Sequence, residues 1–232
     1  MSLMTATEKL FGTTTLDERQ AAIAKKTYAL LSISVAGAVA GGYAGATNES
    51  LAMFFGSTMG WITALIMINV VPYIALWAAN RNKTLGLLAL AADGFLSGLA
   101  VSPLLFFANL VAPKLIPAAG GVTLAVFVAV TGYMMVTRDR FSAPAGLMTG
   151  IIASVFVAVL MNSLFLHSGV VGLLISVAVG IFGVFILVYA TSDVLNNPNF
   201  DSPVRGALML FAALFNIFVS TLRVLLSLSS RD

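Results

Sequence analysis

The amino-acid sequence predicts an all-α integral membrane protein, and two observations support that prediction. Of the 232 residues, 59% are hydrophobic and 9% are charged, whereas a soluble domain carries about 25% charged residues. The hydrophobic residues form seven runs, each close to or above the ~20 residues with which a helix crosses a bilayer. The absence of cysteine excludes disulfides and thiolate metal sites. No basic run points to nucleic acid, so the expected surrounding is the lipid bilayer, and no cofactor is predicted.

The polar start of the chain predicts an N-terminal tail. A cleavable signal peptide would carry its apolar run within the first ~15–30 residues, but here the first apolar run begins near Tyr28. We therefore predict a retained tail over residues 1–26 and a membrane domain over residues 27–232. Residues 17–23 are compatible with a short interfacial helix capped at its start, and equally with a flexible tail.

Seven apolar segments divide the membrane domain, which predicts seven transmembrane helices. They cover residues 28–46, 53–79, 84–111, 118–136, 144–166, 170–194 and 204–228. The first segment contains Gly37, Gly41 and Gly45, a spacing that gives one flat helix face for close packing. Packing inside the bundle is the preferred interpretation of this face, ahead of a dimer interface.

The charges between the segments predict the orientation. Lysine and arginine cluster on one side of the predicted membrane, at Arg19, Lys25, Lys26, Arg81, Lys83, Arg138, Arg140 and Arg205. The basic residue of the opposite loops is Lys114. Because short loops rich in Lys and Arg remain in the cytoplasm, the N-terminus is predicted to be cytoplasmic. With seven spans, the C-terminus is then outside.

The last segment carries a polar stripe. Asn216, Ser220 and Arg223 are spaced by four and three residues, so they share one helix face. Polar groups in a membrane helix face other protein, which predicts that this helix packs in the middle of the bundle. Arg223 also lies near the predicted outer interface, where its long side chain can reach the headgroups and act as an anchor.

Asp93 is the residue that the membrane penalises most. It lies about ten residues into the third segment, or ~15 Å from the cytoplasmic end of a helix. A carboxylate at that depth costs several kcal/mol unless it is paired, hydrated or protonated. One interpretation is a site that binds a proton or a cation. The other is a hydrogen-bonded acid that holds helices together.

Two further residues are weaker candidates. Asp193 ends the sixth segment, where we expect it to accept a backbone hydrogen bond or to pair with Arg81, Arg138 or Arg205. A solvated carboxylate at a helix end is the alternative. His167 lies in an outer loop without a second ligand near it in the sequence, so no metal site is predicted.

The motifs that the sequence lacks argue against an enzyme. No segment has a lysine at its centre, and neither His-Glu-x-x-His, a phosphate-binding glycine loop nor Gly-x-Ser-x-Gly occurs. These patterns supply the nucleophile, metal or phosphate site of common catalytic mechanisms. With one histidine, at the membrane edge, a Ser-His intramembrane protease is also difficult to assemble.

Three motifs resemble those of one membrane protein family. The strongest is Phe215–Ser220, which reads Phe-Asn-Ile-Phe-Val-Ser and is followed by Leu222 and a Ser-Arg-Asp terminus. The second ends the sixth segment and consists of Tyr189, Ala190, Thr191 and Ser192. The third is the stretch Ser97–Pro103. Together they resemble the Bax inhibitor-1 family, and most closely its bacterial YccA-like branch, over nearly the whole chain.

The resemblance implies a seven-helix fold whose last helix is enclosed by the other six. It also implies a pH-sensitive latch of two acidic residues, which correspond here to Ala190 and Ala213. Methyl groups neither titrate nor bind Ca²⁺, which takes about six to eight oxygens. Asp193 lies three residues beyond Ala190 on nearly the same helix face, which makes it a candidate for the first acid. Nothing near Ala213 replaces the second.

Two functions follow as expectations. The resemblance to the YccA-like branch implies a non-enzymatic protein of the bacterial inner membrane that binds or modulates the membrane AAA protease FtsH. The alternative is a pH-sensitive leak for calcium or protons through Asp93 and the hinge, residues 191–203. Ala190 and Ala213 weaken that alternative.

Overall fold

In the residues that the computed structural model describes, all the regular secondary structure is α-helix. The described residues are 3–138, 140–141, 154, 159 and 169–229, with side chains from residue 18 onward. The helices of these ranges are α1 (Leu3–Thr47), α2 (Glu49–Gly56), α3 (Thr58–Arg81), α4 (Lys83–Ala100), α5 (Ser102–Val111), α6 (Leu115–Thr137), α7 (Gly169–Asn196) and α8 (Pro203–Ser229). The predicted all-α class is confirmed.

Six of the described helices are long and apolar enough to cross a membrane. They are α3, α4, α6, α7, α8 and the part of α1 that runs from Glu18 to Thr47. The predicted fifth segment, residues 144–166, falls outside the described residues except at positions 154 and 159. The membrane class is therefore supported by the length and composition of six helices.

The first helix is longer than predicted. It runs from Leu3 to Thr47 without interruption, so residues 17–23 are helical as part of α1 and do not form the separate short helix that was one of the two alternatives. The predicted boundary after residue 26 falls inside α1. Hydropathy marks the part of a helix that suits the membrane, and it does not mark where helical hydrogen bonding begins.

Polar caps mark the starts of three helices. The side chains of Asn48, Ser57 and Asn82 accept hydrogen bonds from backbone N–H groups in the first turns of α2, α3 and α4, at 3.2, 3.1 and 2.8 Å. Each bond satisfies a donor that the helix itself leaves open. The cap at Ser57 also interrupts the second predicted segment, residues 53–79, which is divided between α2 and α3.

The third predicted segment, residues 84–111, is wrong as a single helix. It is broken at Val101, where α4 gives way to α5. Pro103 lies in the first turn of α5, where its missing N–H group is harmless, whereas inside a continuous helix its ring would clash with the carbonyl of Leu99. That carbonyl accepts a hydrogen bond from the hydroxyl of Ser102 instead.

Helices α1 and α4 pack with their backbones in contact. Gly37 and Gly41 of α1 lie against backbone carbonyls of α4, and Gly94 and Gly98 of α4 lie against backbone carbonyls of α1. A Cβ atom at any of these positions would overlap the opposite backbone, so larger residues would force the helices apart. Gly45 lies against a side chain of α5. The prediction that the glycines of the first segment pack inside the bundle is confirmed.

Helices α7 and α8 form an antiparallel hairpin. Near its closed end a Cβ atom on Gly206 would lie 2.8 Å from Cγ2 of Val194, and farther along the pair Gly180 faces the side chain of Ser220. The hydroxyl of Ser220 donates a hydrogen bond to the carbonyl of Ser176. The last helix is therefore fastened to its predecessor by both close packing and a polar contact.

The central core is built around α8. This helix contacts α1, α3, α6 and α7. Its buried apolar residues in the core are Ala207, Leu208, Leu210, Phe211, Ala213 and Ile217. Leu90 of α4 and Leu187 of α7 belong to the same cluster. Of the residues that the sequence singled out, Ala190 and Ala213 belong to this core.

Candidate functional site around Asp93 and the hinge

The bundle has two ends, which differ in their loops. The end with the hinge is called the hinge side. The end with Asn48 and residues 112–114 is called the far side. At the hinge side, Nε of Arg140 donates a hydrogen bond to the carbonyl of Asn196 at 2.8 Å. The backbone N–H of Phe141 donates to Oγ of Ser192, also at 2.8 Å. These bonds tie the segment after α6 to the end of α7.

Asp193 is held by an amide and not by an arginine. Its Oδ1 accepts a hydrogen bond from Nδ2 of Asn197 at 2.6 Å, within the hinge. The expected pairing with Arg81, Arg138 or Arg205 is wrong within the part of the chain that the structure describes, where the recorded partner of the carboxylate is Asn197. Among the described residues, Asp193 therefore orders the hinge locally.

Apolar contacts close the hinge side beneath these polar bonds. Phe200 is buried and packs with Val194 and with Ala24 of α1. Gly206 allows α1 to approach, since a Cβ atom there would lie 2.9 Å from Cγ2 of Thr27. The end of the predicted tail, Ala24 included, is therefore part of the folded body.

Asp93 lies in the interior as predicted. Its side chain is 1% exposed, and neither carboxyl oxygen has a hydrogen-bond partner among the described residues. Across the interface, Gly94 lies directly against the backbone of Ser34, so Asp93 and Ser34 share one level of the bundle. The hydroxyl of Ser34 is likewise buried without a partner in the described part of the chain.

The positions that correspond to the family's acids are filled by methyl groups. Ala190 and Ala213 are each 0% exposed, and they belong to the same buried cluster as Leu90. Tyr189 is half-buried beside them. Thr191 is fully buried, and its hydroxyl has no hydrogen-bond partner within the described ranges. This stretch of α7 thus combines apolar packing with one unsatisfied polar group.

The polar stripe of the last helix is only partly interior. Ser220 is buried and Asn216 is half-buried, but the side chain of Arg223 is exposed. The prediction that all three residues face protein is therefore wrong for Arg223. A long side chain near a helix end can leave the bundle while its Cα stays in place. Its role as an interfacial anchor stays a prediction.

Sequence reasoning missed Ser34 and the significance of the Thr191 hydroxyl. Serine and threonine are common in membrane helices, where the hydroxyl can bond to the preceding turn of the same helix. A serine or threonine in the sequence therefore does not by itself indicate a functional site. That depends on the hydrogen-bond partners of its hydroxyl, which the structure provides. A spacing argument from Asp93 within α4 does not find Ser34, because that residue lies on another helix.

These features define a polytopic helical membrane protein with a buried carboxyl group that has no partner among the described residues. The profile of the family described as "Inhibitor of apoptosis-promoting Bax1" matches residues 20–231. The chain therefore belongs to the Bax inhibitor-1 family.

Its relatives are bacterial proteins of similar length. An uncharacterised protein of Campylobacter jejuni is 31% identical over 210 residues, which is 89% of each chain. One of Neisseria meningitidis serogroup A is 30% identical over 213 residues, 90% of this chain and 92% of the relative. The modulator of FtsH protease YccA of Escherichia coli K12 is 26% identical over 213 residues, 90% of this chain and 91% of that protein. The likeness to the YccA-like branch is thus confirmed.

Proposed function

We propose that this chain is a non-catalytic protein of the bacterial inner membrane that binds a membrane-anchored AAA protease of the FtsH type and modulates it. The observation that carries the proposal is the similarity to a protein named as a modulator of that protease, which extends over nine-tenths of both chains. A match of that extent covers the bundle and the hinge together. The proposal therefore concerns the whole membrane body.

The proposed topology has seven spans and a cytoplasmic N-terminus. Residues 144–166 are the apolar segment that would add the seventh span. Placed beside α6 and α7, it would complete the enclosure of α8, which α1, α3, α6 and α7 already contact. The excess of Lys and Arg on the hinge side supports a cytoplasmic hinge. The protease domain of a membrane-anchored partner would then meet the hinge side.

We do not propose calcium as a substrate. Ala190 and Ala213 supply no ligand oxygen, and Ca²⁺ takes about six to eight. Within the described residues no three His, Cys, Asp or Glu side chains come together in a way that suits a metal ion. The support for a modulator is accordingly stronger than the support for a calcium leak.

The test is recovery of the protease with the protein. Full-length chain purified from its own membranes in mild detergent is expected to bring the FtsH-type protease with it. Deletion of residues 2–17 should lower that recovery and leave the unfolding temperature unchanged, because the described contacts of Ala24 with Val194 and Phe200 lie outside the deleted residues.

A matched control tests whether recovery of the protease depends on the side chains of the tail or only on its length. Residues 2–17 are replaced by a flexible Gly-Ser linker of equal length, which keeps the number of residues and removes the side chains and the helix of the tail. Recovery should fall as in the deletion. Full recovery of the protease with both variants would exclude the tail as the contact. Absence of the protease from the wild-type preparation would contradict the proposed function.

A further inference from the structure

Buried hydroxyl groups in this bundle fall into two sets. Most take part in a hydrogen bond, namely those of Thr27, Ser102, Thr123, Ser176, Ser192 and Ser220. The hydroxyls of Ser34 and Thr191 have no partner in the described part of the chain, and the same holds for both oxygens of Asp93. A buried polar group without a partner costs about 1–3 kcal/mol. Gln20, Tyr28 and Thr131 also have a buried side-chain atom without a partner among the described residues, but these three residues are only half-buried. The three residues that are buried as a whole, Ser34, Asp93 and Thr191, therefore call for an explanation.

Helix register places the three groups at successive depths. Thr27 lies at the hinge side, against Gly206. Ser34 is seven residues farther along α1, which is ~10 Å deeper. Val194 is the other neighbour of Gly206. Thr191 comes three residues before Val194 on α7, which runs toward the hinge. Thr191 is thus ~4.5 Å deeper than the hinge closure, between it and the level of Ser34.

Asp93 lies, together with Ser34, at the greatest depth from the hinge side. Gly94 lies against the backbone of Ser34, and the two helices run in the same direction, since Gly37 meets Ala91 and Gly98 meets Gly42. Asp93 therefore lies at the depth of Ser34. The order from the hinge side is Thr191, then Ser34 and Asp93.

No basic side chain neutralises Asp93 in the described structure. Every described Lys and Arg side chain is exposed, and residues 142–168 contain neither Lys nor Arg. The titratable groups on α1 and α3, the helices packed against α4, whose side chains are described are Glu18, Arg19, Lys25, Lys26, Tyr28, Tyr43, Tyr73 and Arg81. Of these, only Tyr28 is shielded from solvent, and it lines a cleft with Phe127 and Thr131 of α6.

The number of oxygens and the charge at Asp93 decide which ligand fits the site. One carboxyl group supplies two oxygens and a single negative charge, which is far from the oxygen shell of a divalent ion. The tight backbone contact between α1 and α4 limits the space beside Asp93. A proton needs neither a ligand shell nor a cavity, and it removes the charge that the apolar core penalises.

We propose that Asp93 is an intramembrane proton-binding group that exchanges its proton with the hinge side through the hydroxyls of Ser34 and Thr191. Binding adds one proton to a carboxylate oxygen, and release returns it along the hydroxyls to water at the hinge. At each hydroxyl on the route one O–H bond forms as another breaks, so Ser34 and Thr191 are unchanged once the proton has passed. The site does not depend on the proposed partner, because its residues are interior and the partner would meet the surface.

The first experiment detects the proton. Infrared spectra of the full chain in lipid at neutral pH should contain the carbonyl band of a protonated carboxylic acid, and Asp93→Asn should remove it. Asp201→Asn, at an exposed hinge residue, is the matched control and should leave the band unchanged. A band that survives Asp93→Asn would overturn the proposal. So would a band that sodium ions displace at constant pH, since that would assign the site to a metal cation.

The second experiment tests the route. On transfer to heavy water the band shifts as the proton is replaced by deuterium. Thr191→Val and Ser34→Ala should each slow this shift several-fold. Ser220→Ala removes a buried hydroxyl that already has a partner, and it should leave the rate unchanged. Equal rates in all variants would exclude the hydroxyls as the route.

Discussion

The α1–α4 pair and the α7–α8 pair are both closely packed, but different contacts hold them. Between α1 and α4, glycines on both helices bring backbone against backbone. Between α7 and α8, a glycine on one helix receives a side chain from the other, and Ser220 adds a hydrogen bond across the pair. In the part of the chain that the structure describes, close packing holds the first interface, while the second also has a polar bond. Substitutions should therefore affect the two interfaces to different degrees.

The largest effect is expected at the glycine interface. Gly94→Leu would place a branched side chain where the backbone of Ser34 lies, and backbone cannot rotate away as a side chain does. Overpacking costs about 1–3 kcal/mol, and we expect a loss near 3 kcal/mol in the free energy of unfolding in detergent. The matched control is Gly132→Leu, because Gly132 has no neighbouring atom within 4 Å. Similar losses for both variants would show that helix propensity or detergent, and not the interface, decides the result.

At Asp93 we expect a smaller change in the free energy of unfolding, and the apolar substitution should be the more stable of the two. Because its oxygens lack partners in the described structure, Asp93→Leu removes an unsatisfied group, whereas Asp93→Asn keeps one. We expect the leucine variant to be more stable than the asparagine variant by about 1–3 kcal/mol, as measured by thermal unfolding. The opposite order would show that Asp93 makes a structural hydrogen bond, and the glycine interface would then contain a polar bond after all.

The polar contact of the hairpin should contribute less. Ser220→Ala removes the hydrogen bond to Ser176, and such bonds between membrane helices average about 0.6 kcal/mol. Ser32→Ala is the control, since the hydroxyl of Ser32 bonds within its own helix, to the carbonyl of Tyr28. A loss at Ser32 equal to that at Ser220 would remove the distinction between the two helix pairs.

The smallest effect is expected from calcium. A ligand raises stability only in so far as it binds the folded state, and Ala190 and Ala213 offer no oxygen to bind it. Millimolar Ca²⁺ should leave the unfolding temperature of the wild type unchanged, as measured against Mg²⁺ at equal ionic strength. The double variant Ala190→Asp and Ala213→Asp supplies two carboxylates to the same core and is expected to respond. A specific response of the wild type would contradict this prediction.

Much of the fold was predictable because a few strong physical rules decide it. Apolar runs of sufficient length identified the six membrane-crossing helices that the structure describes. The burial of Asp93 followed from the cost of exposing a carboxylate to lipid. The spacing of Gly37, Gly41 and Gly45 indicated a packing face, though not that the partner would be α4.

Features that depend on tertiary contacts were not predictable in the same way. The break at Val101 is a local event within an apolar run, and hydropathy does not register it. The exposure of Arg223 depends on which way a flexible side chain leaves the helix. The partner of Asp193 is Asn197, a neutral residue that a search for opposite charges passes over. That the hydroxyls of Ser34 and Thr191 lack partners among the described residues becomes visible only once the positions of the described helices are known.

The central position of α8 has a consequence for how the protein is made. A ribosome releases the chain from its N-terminus onward, so α8 is synthesised after every other described helix. Until it arrives, the faces of α1, α3, α6 and α7 that pack on it have no permanent neighbour. Assembly in the cell therefore cannot be completed helix by helix, and nascent chains halted before Pro203 should be targets for membrane quality control.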